Sequence, residues 1–185
     1  MQEKGYAHTS LNDLAAAAGM SPSHLLYYFS GKEEVLEVYF RAAEATVLAD
    51  VTAHAGDAPE DRIDHLAGFF FGGWLKNRHG LGNVLELFGQ AVRRRPLRTV
   101  KSRFDRRMKA YLVDLFSKTP RLICHTPQDA AESAFALFIG LIATTYFDER
   151  LTLARARSLC REGLRRLAGL PPTHRAKSKR ARRSP

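Results

Sequence analysis

Apolar residues recur along this chain at intervals of three and four and never alternate one-in-two over a strand's length, so each patterned segment reads as helix. The first is short, with Leu11, Leu14, Ala15 and Ala18 at i, i+3, i+4 and i+7. Thr9 or Ser10 is placed to cap it, and Asp13 stands three residues after Ser10, where it closes a capping box. Gly19 ends it, because glycine takes the left-handed conformation at no steric cost. Ser21 caps a second short helix, with Pro22 in its first turn. A long helix from Lys32 to about residue 55 carries the stripe Val35, Leu36, Tyr39, Phe40, Ala43, Val47 and Val51. Further helices are predicted at roughly 59–78, 83–94, 97–118, 128–148 and 151–170, with breaks at Gly80 to Gly82, Pro96 and the loop 120–127. The fold class is all-α.

Two short helices joined by a tight glycine turn make a helix-turn-helix, whose second helix suits the major groove of DNA. Gly5-Tyr6, Thr9-Ser10-Leu11, Ala18-Gly19-Met20-Ser21, Leu25, Tyr28-Phe29 and Lys32-Glu33 stand at the spacing of one known module, without a gap. This run resembles the DNA-binding module of the tetracycline-repressor (TetR) family of regulators, and the likeness in motif ends near Leu36. The resemblance implies a helix-turn-helix DNA-binding head over residues 1–36 and a helical effector-binding and dimerisation body over 37–170, followed by a basic tail at 171–185. In the family a helix of about twenty residues precedes the Gly-Tyr, and this sequence keeps only its last few residues. Tyr6, Leu11, Leu14, Leu25 and Phe29 are therefore expected to lack a covering layer, at roughly 1.5–3 kcal/mol for each large apolar side chain left exposed.

Charge changes this picture in one respect. The chain of 185 residues carries a formal charge of +10, which points to a polyanionic partner. Yet residues 1–33 hold Lys4 and Lys32 against Glu3, Asp13 and Glu33, so the head is not basic. The excess lies in Arg93 to Lys109, where nine basic residues face Asp105 alone, and in Arg175 to Arg183, with six and no acid. The first run reads as a solvated helix face, with an acidic effector as the competing reading. The tail reads as a disordered arm that touches DNA phosphates without regard to sequence. Cys124 and Cys160 are far apart and fit neither a zinc site nor a disulfide framework, which suits a reducing cytoplasm. No signal-peptide pattern and no apolar run near 18 residues is apparent, so no membrane partner is expected. No cofactor is expected either: nucleophile elbow, phosphate loop, dinucleotide fingerprint and HExxH are all missing, and an enzyme is not indicated.

Resemblance and motif geometry together assign candidate residues. Ser21, Pro22, Ser23 and His24 open the second helix and face base edges, while Tyr27, Tyr28 and Lys32 grip phosphates. Thr9 and Ser10 offer an amide and a hydroxyl to a further phosphate. Tyr28 competes for a place in the core, and Phe29 belongs there. In the body, Phe69, Phe70, Trp74, Phe88, Phe104, Met108, Tyr111, Phe135 and Tyr146 recur at helical spacing, as plain core or as the walls of a small-molecule effector pocket. His65, Asn77 and Thr144 are the polar groups available to such a pocket. The segment from Ala134 to Phe147 is apolar on nearly every side, which favours burial by a partner as well as by its own core. Ala134, Phe138, Leu141, Ile142, Thr145 and Leu164 are the expected homodimer seam. The family's mechanism would be a ligand-responsive repressor binding palindromic double-stranded DNA as a homodimer. The alternative is a helical dimerisation protein that has lost autonomous DNA binding.

Overall fold

The computed structural model describes Tyr6, residues 8–75 and residues 77–172. The basic stretch at 175–183 lies outside the described residues. Eight α-helices occur among the described residues, and no strand. α1 (Leu11–Ala17) begins as its capping box predicts: Ser10 Oγ accepts from Asp13 N at 3.1 Å, and Ser10 N donates to the Asp13 carboxylate at 2.8 Å. It ends in a Schellman motif, with Met20 N–H on Ala15 O, Gly19 N–H on Ala16 O, and Gly19 at φ 67°. That positive φ sets the angle at which α2 (Pro22–Tyr28) leaves α1. Ser21 caps α2 by accepting from His24 N at 3.2 Å.

α3 (Lys32–Ala53) is the long helix that the stripe predicts, and it passes through residue 36 without a break. At 1.5 Å per residue its 22 residues span about 33 Å. α4 (Pro59–Gly68) stops earlier than its pattern suggests. Between Phe69 and Trp74 the helix widens into a π-type turn: Leu75 N–H bonds to Phe70 O, five residues back, and Phe71 leaves helical dihedrals at φ −109°, ψ 20°. The break falls after this turn, not at Gly80 to Gly82 as expected. Those glycines lie inside α5 (Arg78–Arg93), where Asn77 caps the helix by accepting from Gly80 N at 2.9 Å. A Cβ at Gly82 would stand 2.9 Å from Tyr146 Cε2, so close packing there accounts for a residue that usually weakens a helix. α6 (Arg95–Ser117), α7 (Pro127–Phe147) and α8 (Leu153–Leu167) complete the body near their expected limits.

The main core gathers the second half of α3 with α4 to α8, around Leu66, Leu112, Leu115, Cys160 and Leu164. Burial alone pushes the Cys160 thiol up to about 12. Among the described residues Arg62 is the most deeply sealed charged side chain: fully buried, it donates to Tyr111 Oη at 3.1 Å, Tyr111 O at 3.3 Å and Asp114 at 2.9 Å. α7 has the length and hydropathy of a membrane span, contrary to expectation, but it packs as the central helix of the body. Glycine takes a second positive φ, 65°, at Gly169, where α8 ends in another Schellman motif.

A smaller core of Tyr6, Leu36, Phe40, Ala91, Leu97 and Val100 lies between the start of α3, the end of α5 and the start of α6. Tyr6 is thus not left uncovered: the body buries it, leaving 7% exposed. Within the head itself burial is thin. Ala15 and Leu25 are buried, while Leu11, Leu14 and Phe29 are only partly covered.

Candidate functional site

The head turns one face of α2 outward. Leu25 packs inward at 3% exposure, so residues on either side of it project away from α1. Ser21, Pro22, Ser23, His24, Tyr27 and Tyr28 are all exposed, as a groove-reading helix requires. Tyr27 is 82% and Tyr28 58% exposed, so Tyr28 is not core. The Tyr28 ring stands 5.4 Å from that of His24 and 5.2 Å, edge-on, from that of Tyr27, giving α2 a continuous aromatic ridge.

Three expected phosphate ligands are placed differently. Thr9 is buried at 2% exposure and its N–H is spent on Tyr6 O, so it does not face DNA. Ser10 is exposed, but both its N–H and its hydroxyl donate to Asp13, at 2.8 and 2.7 Å. Lys32 Nζ donates to Tyr6 O at 2.9 Å and lies 4.3 Å over the Tyr6 ring. In each case local capping or burial claims the group that the motif alone would offer to a phosphate.

Those contacts belong to the joint between head and body. Tyr6 N–H donates to Glu86 at 2.8 Å, and Tyr6 Oη donates to Glu33 Oε1 at 2.9 Å. Arg94 pairs with Glu33 at 3.1 Å and lies 5.9 Å from the centre of the Tyr6 ring. The backbone amide at its own position, then the Tyr6 hydroxyl, holds the Glu33 carboxyl below the usual range. Burial, then the Glu33 carboxylate, pushes the Tyr6 phenol above its usual value. The basic run from Arg93 therefore does more than face solvent, since Arg94 closes this joint.

An apolar cavity of about 70 Å³ lies between α3, the π-type turn, α5, α6 and α7. A single water needs ~10–15 Å³ by the same measure, so a small molecule has room. Phe70, Trp74, Phe88, Phe104, Met108 and Phe135 line it, as the aromatic stripe predicts. Three expected members do not. Phe69 stacks outside, 6.1 Å from His65 and 6.5 Å from Trp74. Tyr111 carries Arg62, and Tyr146 lies at the surface against Gly82. The expected polar groups are also elsewhere: His65 bonds Asp50 at 2.6 Å, Asn77 caps α5, and exposed Thr144 donates to Gly140 O. The polar members of the wall are instead Glu44, Lys101 and Asp105. Glu44 was legible, standing four residues after Phe40 and three before Val47 on the apolar side of α3.

The six expected seam residues are covered by their own chain. Ala134, Phe138, Leu141, Ile142, Thr145 and Leu164 are each at most 7% exposed and belong to the inner faces of α7 and α8. The outward face of α7 is set by Ser133, Ala136, Gly140, Thr144 and Phe147, the last 74% exposed. Periodicity could not separate the two faces of a helix that is apolar on both. Among the described residues, Asp50, His54 and His65 form the one group able to offer three metal ligands. The two imidazoles are stacked, with centroids 3.6 Å apart and planes 17° apart. An ion in the plane of one ring would sit well out of the plane of the other, so the arrangement does not suit a metal.

The comparisons agree with this layout. Residues 1–39 match the family described as bacterial regulatory proteins, tetR family. Residues 59–169 match the C-terminal region of BetI-type transcriptional repressors. No curated protein matches the chain. Among solved structures, a transcriptional regulator from Pseudomonas aeruginosa PAO1 superposes with a TM-score of 0.71 at 17% identity, covering 91% of this chain and 84% of its own. A TetR-family regulator from Rhodococcus sp. gives 0.69 at 23% identity, over 90% and 91%. A tetR-family regulatory protein from Rhodococcus RHA1 gives 0.63 at 21%, over 88% and 90%. At such identities these likenesses speak to the fold, and the matched segments carry the assignment: this chain belongs to the TetR family of bacterial transcriptional regulators.

Proposed function

We propose that this regulator is a ligand-responsive repressor that binds a near-palindromic operator as a homodimer. The carrying observation is the exposed face of α2, where Ser23, His24, Tyr27 and Tyr28 stand free of the core at the position of a recognition helix. Ser23 and His24 read base edges near the start of α2, and the tyrosines hold the backbone. Two copies meet through the outward faces of α7 and α8, replacing the inner-face seam that the sequence suggests. α3 supports the ligand response, because one unbroken helix carries Lys32 at the head and Glu44 and Val47 in the cavity wall. A ligand that tilts α3 changes the spacing of two heads, a coupling of typically ~1–3 kcal/mol.

The test is fluorescence anisotropy on DNA selected from a random pool, with a salt titration and a variant lacking residues 175–183. Binding to one near-palindrome well above random DNA, retained without that basic stretch, is the expected result. Salt-steep binding blind to sequence, lost with residues 175–183, overturns it in favour of a dimerisation protein without autonomous DNA reading.

A further inference from the structure

The head has little positive charge to offer a phosphate backbone. Over residues 8–34 the one lysine or arginine is Lys32, and its Nζ is held on Tyr6 O and over the Tyr6 ring. Asp13, Glu33 and Glu34 stand in the same stretch. Binding to duplex DNA draws much of its strength from cations that neutralise phosphates, so a head of this charge needs them from elsewhere.

A supply stands at the corner where α5 ends and α6 begins, with Arg93, Arg94, Arg95 and Arg98 inside six residues. Register brings that corner to the head. Leu87 packs on the smaller core beside Tyr39, Ala91 shares that core with Leu36, and Arg94 pairs with Glu33 at 3.1 Å. Each turn gained along α5 is thus a turn back along α3, toward its start. Lys32, the first residue of α3, follows Tyr28 of α2 by four residues, a reach of at most about 14 Å. Two of the four arginines have structural duties. Arg94 holds Glu33, and Arg98 closes the end of α5 by donating to Ala91 O at 3.3 Å and Val92 O at 2.6 Å. Arg93 and Arg95 are exposed, and among the described residues their side chains have no ion pair or hydrogen bond.

We infer that Arg93 and Arg95 make a second contact with operator DNA, gripping backbone phosphates beside the groove that α2 enters. This rests on the operator reading above and adds to it a contact from the body, outside the helix-turn-helix. A guanidinium donates in a planar fork that matches phosphate oxygens, and these two can do so without giving up a structural bond. Such contacts set register and strength and leave base choice to Ser23 and His24. Arg106 and Arg107 are equally exposed but stand about 17 Å further along α6, so they serve as the control.

The test is fluorescence anisotropy on operator and random-sequence DNA across a salt titration, with the full-length chain and three double variants. Arg93→Gln with Arg95→Gln should weaken both DNAs alike, by about tenfold or more at 0.1 M salt, and flatten the slope of log K against log salt by about 2. The operator-to-random ratio should hold, which a disrupted head would not allow. Arg93→Lys with Arg95→Lys keeps the charge and should keep the slope. Arg106→Gln with Arg107→Gln removes the same charge and should leave the slope nearly unchanged. Equal flattening by both glutamine pairs, or by neither, overturns the corner contact while operator binding stands. Loss of the operator-to-random ratio in the corner pair also overturns it, since phosphate contacts carry no base choice. A native chain that prefers no sequence refutes the operator reading and takes this inference with it.

Discussion

Tyr6 is the residue through which the head holds to the body, and its replacement gives the sharpest check on that joint. Tyr6→Ala removes a ring that is 7% exposed and packed among Leu36, Phe40, Ala91, Leu97 and Val100. Truncating a buried aromatic side chain costs about 3–5 kcal/mol, and here the loss falls on the joint. Tyr6→Phe keeps the ring and removes one hydrogen bond to Glu33, whose side chain is 51% exposed, so about 0.5–1 kcal/mol is expected. Hydrogen exchange read by mass spectrometry resolves the two. In Tyr6→Ala the amides of α1, α2 and the start of α3 should lose protection while those of α7 and α8 keep theirs. Tyr6→Phe should shift the same amides only slightly. Acidity gives an independent handle. Glu33 is held below its ordinary value of 4.5, so its contribution is complete above that pH and lost as pH falls through the lowered value. The Tyr6 phenol is held above its ordinary 10.0, so its contribution is complete below pH 10 and lost as pH rises through the raised value. The joint is therefore tightest between about pH 4.5 and 10. Unchanged protection of α1 and α2 in Tyr6→Ala would refute the joint altogether.

Three further outcomes test the body. Arg62→Ala deletes a fully buried side chain bonded to Tyr111 and Asp114 and should cost about 3–4 kcal/mol by urea unfolding, and Asp114→Asn, which leaves the sealed guanidinium without its counter-charge, should cost about 3 kcal/mol although that carboxylate is half exposed; a loss near zero for either would contradict this account. Gly169→Ala would drive its Cβ into the Arg121 carbonyl oxygen at positive φ and should cost at least about 2 kcal/mol, against about 1 for Gly19→Ala, where the new methyl meets nothing within 4 Å; thermal melts that reverse the order would sink the argument. At pH 8 a disulfide reagent should modify partly exposed Cys124 in the native protein and reach Cys160, whose thiol is pushed up to about 12, only after unfolding.

The amino-acid sequence by itself determined whatever depends on neighbours a few residues apart. The Ser10–Asp13 box, the left-handed Gly19, the Ser21 cap and the stripe of α3 are local interactions, and each is formed where the spacing places it. The helix-turn-helix and the TetR family follow from those same local residues. What lay between elements was decided by packing. Lys32 reads as a phosphate ligand until Tyr6, buried against the body, takes Lys32 Nζ for its carbonyl, and Thr9 spends its own N–H on the same carbonyl in a local turn. The aromatic stripe was visible, but a widened turn at Phe69 to Trp74 sent Trp74 into the cavity and left Phe69 outside. α7 shows apolar residues on every side, so only the placement of α6 and α8 distinguishes its core face from its outer one. Periodicity reports that a face is apolar; which element covers it depends on contacts between residues far apart in the chain, and those exist only once the helices have packed.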